Sequence, residues 1–336
     1  MRAGRMTTAM FGLAAVLALG ACGDPGSGGG VAAPTTTAGA TGVACAPVAG
    51  DQLVALKDDL GLQNADNVIP AVNATVATAN PAILTLLDSV SAVLDTPALV
   101  ALNKAVDVDR RTSTEVAAAF VEEHGLVAKD TPGTGVSLVV GAANFSENAT
   151  LAEVYAAVLR SAGYDATTRT IGSRETYLPA LASGEVAVVP EYAARLVTFL
   201  NSTLNGADAP AVASPDVDAT VTALTPLATQ YGLTMGMASA AQDQNGFAVT
   251  TAFADQHSVT TLSELAAACA GGVVLAGPPE CPERPFCQLG LEETYGLVVS
   301  EFQSYDFGAI GDAVRQGRAT VGLVLTSDGS LATASS

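Results

Sequence analysis

Cys22 is the residue whose chemistry is most clearly declared. Arg2 and Arg5 precede an apolar run from Met10 to Leu19, which ends in Leu19-Gly20-Ala21-Cys22. A basic start, a short apolar run and small residues before a cysteine make a secretory signal of the lipoprotein type, and the run is too short to span a bilayer. The expectation is a signal and lipobox over residues 1–22, with Cys22 acylated to anchor the chain to the outer face of the cell membrane. Four further cysteines, Cys45, Cys269, Cys281 and Cys287, are an even number for an oxidising compartment, so two disulfides are expected. Pro282 and Pro285 shape a short loop between Cys281 and Cys287, which are expected to pair and leave Cys45 with Cys269. Metal binding is the weaker alternative, because the cysteine spacing matches no zinc pattern and the chain has only 2 histidines, His124 and His257.

Catalytic patterns are missing. The sequence has no Gly-x-Ser-x-Gly elbow, no phosphate loop and no His-Glu-x-x-His. The carboxylate pairs Asp58-Asp59, Glu122-Glu123 and Glu292-Glu293 are sequence neighbours, which diverge on a helix and suit solvated faces better than acid–base work. Ser113, Ser146 and Ser173 sit where helix caps are expected. No enzyme activity, cofactor or metal is implied, and an extracellular hydrolase is the most distant reading.

The 336 residues carry 33 acidic and 14 basic side chains, a formal charge of -19. Nucleic-acid partners need a basic surface, so they are excluded. Residues 23–44, rich in Gly, Ser, Pro, Thr and Ala, read as a flexible tether, and the remainder is long enough for two cores. From about Ala79 to Gly125 the pattern is helical. Asn80-Pro81 and Thr96-Pro97 pair a capping residue with proline, Thr112 to Glu115 forms a capping box, and Ile83, Leu84, Leu87, Val90 and Leu94 make a core stripe. After the turn-rich joint at 131–135, strands alternate with helices: a strand over 136–141, a helix over 147–161, a helix from Ser173 to Leu181 and a strand over 186–189. Later units run through Ser214-Pro215, the capping box Thr261 to Glu264, a strand over 273–276, a helix over 309–316 and a strand over 321–325. Alternation of this kind predicts an α/β fold whose ligands lie beyond the C-terminal ends of the strands.

Specific motifs then appear in order. They are Val139 to Glu147 (VVGAANFSE), Gly172 to Leu181 (GSRETYLPAL), Pro190-Glu191-Tyr192, Gln242 to Val249 (QDQNGFAV), Gly277 to Glu280 (GPPE), Glu283-Arg284-Pro285 and Thr326 to Gly329 (TSDG). Over 137–329 the chain resembles the substrate-binding proteins of osmoprotectant ABC transporters, which take glycine betaine, carnitine or choline. The resemblance implies a type II periplasmic-binding fold, two lobes with a ligand cleft at the hinge. It also implies capture of a small osmolyte for an ABC permease, with the membrane reached only through the lipid. Leu53 to Gln63, Asn67 to Pro70 and Leu102 to Val108 look like the segment that closes the family's chain, here moved to the front. The sequence is therefore expected to be a circular permutant, with lobe I over 45–192, lobe II over 193–336 and a single covalent crossing near 191–195. The rival reading is a surface lipoprotein that binds another small solute for sensing or scaffolding.

A quaternary ammonium donates no strong hydrogen bond, so aromatic faces must surround it while polar groups hold its other end. The positions matching the family's motifs are Phe145, Tyr177, Tyr192, Phe247 and Phe286 for the faces, and Arg174, Gln242, Asn245, Thr326 and Asp328 for polar contacts. The chain has no Trp. After Tyr192, Ala193-Ala194-Arg195 replaces the common Thr-Gly-Thr, and Arg195 is suited to an anionic group.

Overall fold

The computed structural model describes residues 42–331. Cys22, the signal and most of the tether lie outside that range. Ten strands are present: β1 (Leu53–Leu56), β2 (Val68–Asn73), β3 (Ser137–Ala143), β4 (Asp165–Gly172), β5 (Val188–Tyr192), β6 (Leu233–Met235), β7 (Asn245–Thr250), β8 (Val273–Gly277), β9 (Val299–Ser304) and β10 (Val321–Leu325). They form two five-stranded sheets, β4-β3-β5-β2-β6 and β1-β7-β10-β8-β9. In each sheet one strand, β2 or β7, runs antiparallel to its neighbours, while β3–β4, β3–β5, β8–β9 and β8–β10 are parallel.

The two sheets anchor two lobes. The larger is built from 67–241, the smaller from 42–62 together with 245–331. These boundaries correct the expected lobes over 45–192 and 193–336. β1 pairs with β7 in the smaller lobe, and β6, from beyond residue 200, completes the larger sheet by pairing with β2. Two covalent crossings result, near 63–67 and 239–244, instead of one at 191–195. The physical reason is the edge rule: β1 and β6 are short strands whose backbone groups are satisfied only by joining the antiparallel strand of a sheet, and each does so across a long stretch of chain.

Burial explains the apolar runs. In β2, Val68 and Val72 enter one core while Ile69 and Ala71 enter the core on the opposite face, so both faces of the larger sheet are covered and the strand is wholly buried. The helix Ser146–Ser161 packs Leu151, Val154, Tyr155, Val158 and Leu159 into the first of these cores. Both expected capping boxes are formed, on the helices Ser113–Glu123 and Leu262–Ala268. The helix Thr96–Asn103 is capped by Asp95 rather than Thr96, and Val217–Gln230 by Asp216 rather than Ser214. In each case a carboxylate takes the amide two or three residues on. Gly133, in the joint at 131–135, lies so close to the Tyr164 ring that an added Cβ would sit 2.3 Å from Cδ2. Cys45–Cys269 and Cys281–Cys287 are the disulfides, as expected from the spacing. Two sheets in helical layers, each with one antiparallel strand and joined by two crossings, constitute the type II periplasmic-binding fold.

Candidate functional site

The C-terminal ends of β3 and β4 deliver Phe145 and Arg174 to the interlobe cleft, and the ends of β9 and β10 deliver Phe307 and Ser327 from the facing lobe. Side chains at strand ends are free of the ladder and rest on a rigid sheet, which is why the site collects there. Four cavities lie around the cleft, one of about 360 Å³ lined by Gln63, Gln242, Asn245, Phe247 and Thr326 among others, and three more. The first of these three, about 470 Å³, is lined by Gln63, Asp66, Arg174, Arg195, Asn245 and Phe286 among others. The second, about 280 Å³, has Asn103, Asp107, Phe145, Glu147, Asp243 and Phe307. The third, about 420 Å³, shares Asn245 and Phe286 with the first and Phe307 with the second, so the three form one continuous cleft.

The poles of this cleft differ in charge. At one pole the Arg174 guanidinium donates through Nε and Nη2 to Glu191 at 3.1 and 2.8 Å, and Arg195 reaches Asp66 through Nε at 2.9 Å and Asp243 through Nη1 at 2.7 Å. Arg174 thus keeps its Nη1 donors unspent and Arg195 its Nη2 donors, and both side chains line the first cavity, where such donors suit a carboxylate. Burial works against both charges, and the facing carboxylates more than offset it, so both arginines stay firmly protonated. At the other pole Asp107, Glu147, Asp243 and Asp328 line the cavity beside Phe145 and Phe307, and no Lys or Arg contributes to that lining. Glu147 accepts from the Tyr192 hydroxyl at 2.6 Å and from Asn103 Nδ2 at 2.6 Å. Burial, reinforced by the nearby Asp243 charge, pushes the Glu147 carboxyl up to about 7. Burial pushes Asp66 up to about 6, against the pull of Arg195.

The expected ligand residues divide. Phe145, Arg174, Asn245 and Phe286 line the cleft, and Asp328 lines its acidic pole. Tyr177, Tyr192 and Phe247 are core residues, 2%, 1% and 1% exposed. The Tyr177 hydroxyl donates to Glu191 at 2.8 Å, which spends its polar end inside the lobe. Tyr192 presents one ring face toward Phe145 at a centroid distance of 6.1 Å, and the Arg195 guanidinium lies 5.3 Å from the same ring's centroid. Gln242 and Thr326 belong to the hinge: the Thr326 hydroxyl donates to Gln242 O at 2.8 Å and accepts from Gln244 N at 3.1 Å, and Gln242 Nε2 reaches Asn67. Both crossings are therefore tied together by side chains that resemble ligand donors in sequence.

Glu147, Asp243 and Phe307 carry the site beyond the expected set, while Arg195, read as suited to an anionic group, stands at the first cavity. Glu147 and Asp243 stand inside motifs quoted above, but helix-start and loop readings absorbed them. Phe307 follows β9, a strand with no clear period in the sequence. The helix Thr96–Asn103 runs on into a π-helical turn, Lys104–Val108, that sets Asp107 and Val108 at the cavity wall, a device frequent at functional sites.

The family model for the substrate-binding domain of ABC-type glycine betaine transport systems matches residues 36–123 and 136–334. The chain belongs to that family, one of substrate binding and not of catalysis. Among solved structures, a glycine betaine/carnitine/choline ABC transporter protein aligns at 16% identity over 57% of this chain and 69% of its own, with a TM-score of 0.40. A protein assigned to peptide binding, AppA from Clostridium difficile, aligns at 11% identity over 56% of this chain and 46% of its own, with a TM-score of 0.27. No curated protein matches the sequence.

Proposed function

We propose that this protein captures a small zwitterionic osmolyte bearing a quaternary ammonium, such as glycine betaine or carnitine, and presents it to an ABC permease. The observation that carries this reading is the placement of Phe145, Phe286 and Phe307. They are 43%, 44% and 44% exposed, the exposed aromatics among the described residues, and all three line the cleft. Exposed phenyl faces cost stability in water, and two of these, Phe145 and Phe307 from opposite lobes, line the acidic cavity, an arrangement that suits a cation needing no hydrogen bond. The arginine pole supplies the complement for a carboxylate.

The reading also includes export and anchoring through Cys22, supported by the two disulfides, which belong to an oxidising compartment. It includes circular permutation as well. The family model matches in two segments that meet at 124–135, and Leu331 at the end of the described chain bridges Leu53 in β1. β1 then takes the edge place in the smaller sheet that β6 takes in the larger.

A thermal-shift series with glycine betaine, carnitine, choline and proline tests the solute, since a ligand that binds only the folded state stabilises it by RT ln(1 + [L]/Kd). Glycine betaine and carnitine are expected to raise the melting temperature more than choline, which lacks the carboxylate. No shift with any quaternary ammonium would refute the assignment.

A further inference from the structure

Four carboxylates are buried among the described residues: Asp66, Glu147, Glu191 and Asp243. Three have an arginine. Asp66 and Asp243 share Arg195, and Glu191 is held by Arg174. Glu147, 7% exposed, has only neutral donors, the Tyr192 hydroxyl and the Asn103 amide. A buried carboxylate without a cation is costly to ionise, and the cost falls when a positive charge arrives beside it. This one stands at the wall of the acidic cavity, two residues after Phe145 and in the same lining as Phe307, with the unpartnered Asn103 Oδ1 beside it.

We propose that Glu147 is the counter-charge that selects a cationic solute, and that capture of the cation is coupled to release of the Glu147 proton. This rests on the quaternary-ammonium reading of the same cleft. In the empty protein the carboxyl holds its proton up to about pH 7 because of burial and the Asp243 charge. When the cation enters, the carboxylate form is favoured, the O–H bond breaks, and the proton leaves to solvent. The other charged groups around Glu147 are Asp107 on the π-helical turn, Asp243 on the second crossing with Arg195 behind it, and Asp328 on the turn after β10. Asp243 is ion-paired with Arg195, whereas Asp107 and Asp328 are not buried. Glu147 is thus the one buried carboxylate at this pole without a basic partner.

The test is calorimetric titration with glycine betaine and carnitine, whose cations are permanent, between pH 5.5 and 8.5 in two buffers of different ionisation enthalpy. The expected result is an affinity about ten-fold tighter at the alkaline end, the change that one unit of coupling produces. Net proton release should accompany binding near pH 6.5. Glu147→Gln should bind at the weak, acidic-end level with a flat pH profile and no proton release. Wild-type binding that is flat across the range overturns the coupling while leaving solute capture intact. A Glu147→Gln variant that keeps the slope also overturns it and moves the titration to Asp66. Absence of binding at every pH overturns both readings.

Discussion

Phe307 and Tyr192 show how exposure and chemistry separate at single residues. Phe307 is 44% exposed, so Phe307→Ala removes no core and should leave the melting temperature within a degree or two while weakening binding. Loss of one aromatic face is worth about 0.5–2 kcal/mol, roughly 2- to 30-fold in Kd. Unchanged affinity would take Phe307 out of the site. Tyr192, at 1% exposed and within the main core, behaves oppositely: Tyr192→Ala should cost about 3–5 kcal/mol of stability, measurable by denaturant unfolding. The motif Pro190-Glu191-Tyr192 was legible in the sequence, although β5 runs on through it to Tyr192 where the strand was expected to stop at 189. Its exposure was not, because a strand end facing a cleft and one facing a core share the same residue types. Arg174 was legible for the same motif-based reason, whereas Glu147 read as an ordinary first-turn acid of a helix, which it also is. The raised Glu147 and Asp66 carboxyls carry a sign for stability. With folded-state values near 7 and 6 above the unfolded values near 4, the native state binds more protons in that window, so the unliganded protein gains stability as pH falls from about 7 to about 4.5. Melting curves at pH 5.5 and 7.5 should place the higher midpoint at pH 5.5, with the difference reduced in Glu147→Gln.

At the scale of elements, the two disulfides do different work. Cys45–Cys269 closes a separation of 224 residues and ties the segment before β1 to the end of the helix Leu262–Ala268. Cys281–Cys287 closes only 6. The chain-entropy relation gives about 5 kcal/mol for the first and about 2 for the second. Replacing Cys45 and Cys269 by serine should therefore lower the melting temperature markedly. The Cys281→Ser/Cys287→Ser variant should mainly loosen the loop that presents Phe286, whose carbonyl accepts from Gln63 Nε2 at 3.0 Å. A weaker Kd with a smaller fall in melting temperature than the Cys45/Cys269 variant shows is the expected outcome for that variant, and an unchanged Kd would remove the loop from the binding apparatus. The capping boxes and the strand Val321–Leu325 were readable because they are local, set by neighbours within four residues. β4, β6 and β9 were not: β4 and β9 are largely solvent-facing and β6 has three residues, so none shows a clear apolar period.

For the whole molecule, the strand–helix pattern predicted an α/β fold, and the motif resemblance implied the family and two lobes but misplaced their boundary. Alternating strands and helices specify that strands pair, and only the distant edge pairings, β1 with β7 and β2 with β6, specify with whom. Arg195 draws both crossings together through Asp66 and Asp243, so Arg195→Ala would leave two buried carboxylates unpaired, at a cost of about 3–5 kcal/mol. The proximity of Leu331 to Leu53 implies that joining them by a short linker and opening the chain near Gly133 should give a protein that folds and binds as the present one does. A chain re-joined in this way that fails to fold would argue against the permutation. The account as a whole claims that the cleft holds a zwitterion with its cation at the Phe145–Phe307 pole, and a crystal structure grown with carnitine addresses it most directly. The predicted result is a trimethylammonium group between Phe145 and Phe307 beside Glu147, with the carboxylate turned toward Arg174 and Arg195; a ligand bound in the reverse orientation, or outside the interlobe cleft, would contradict it.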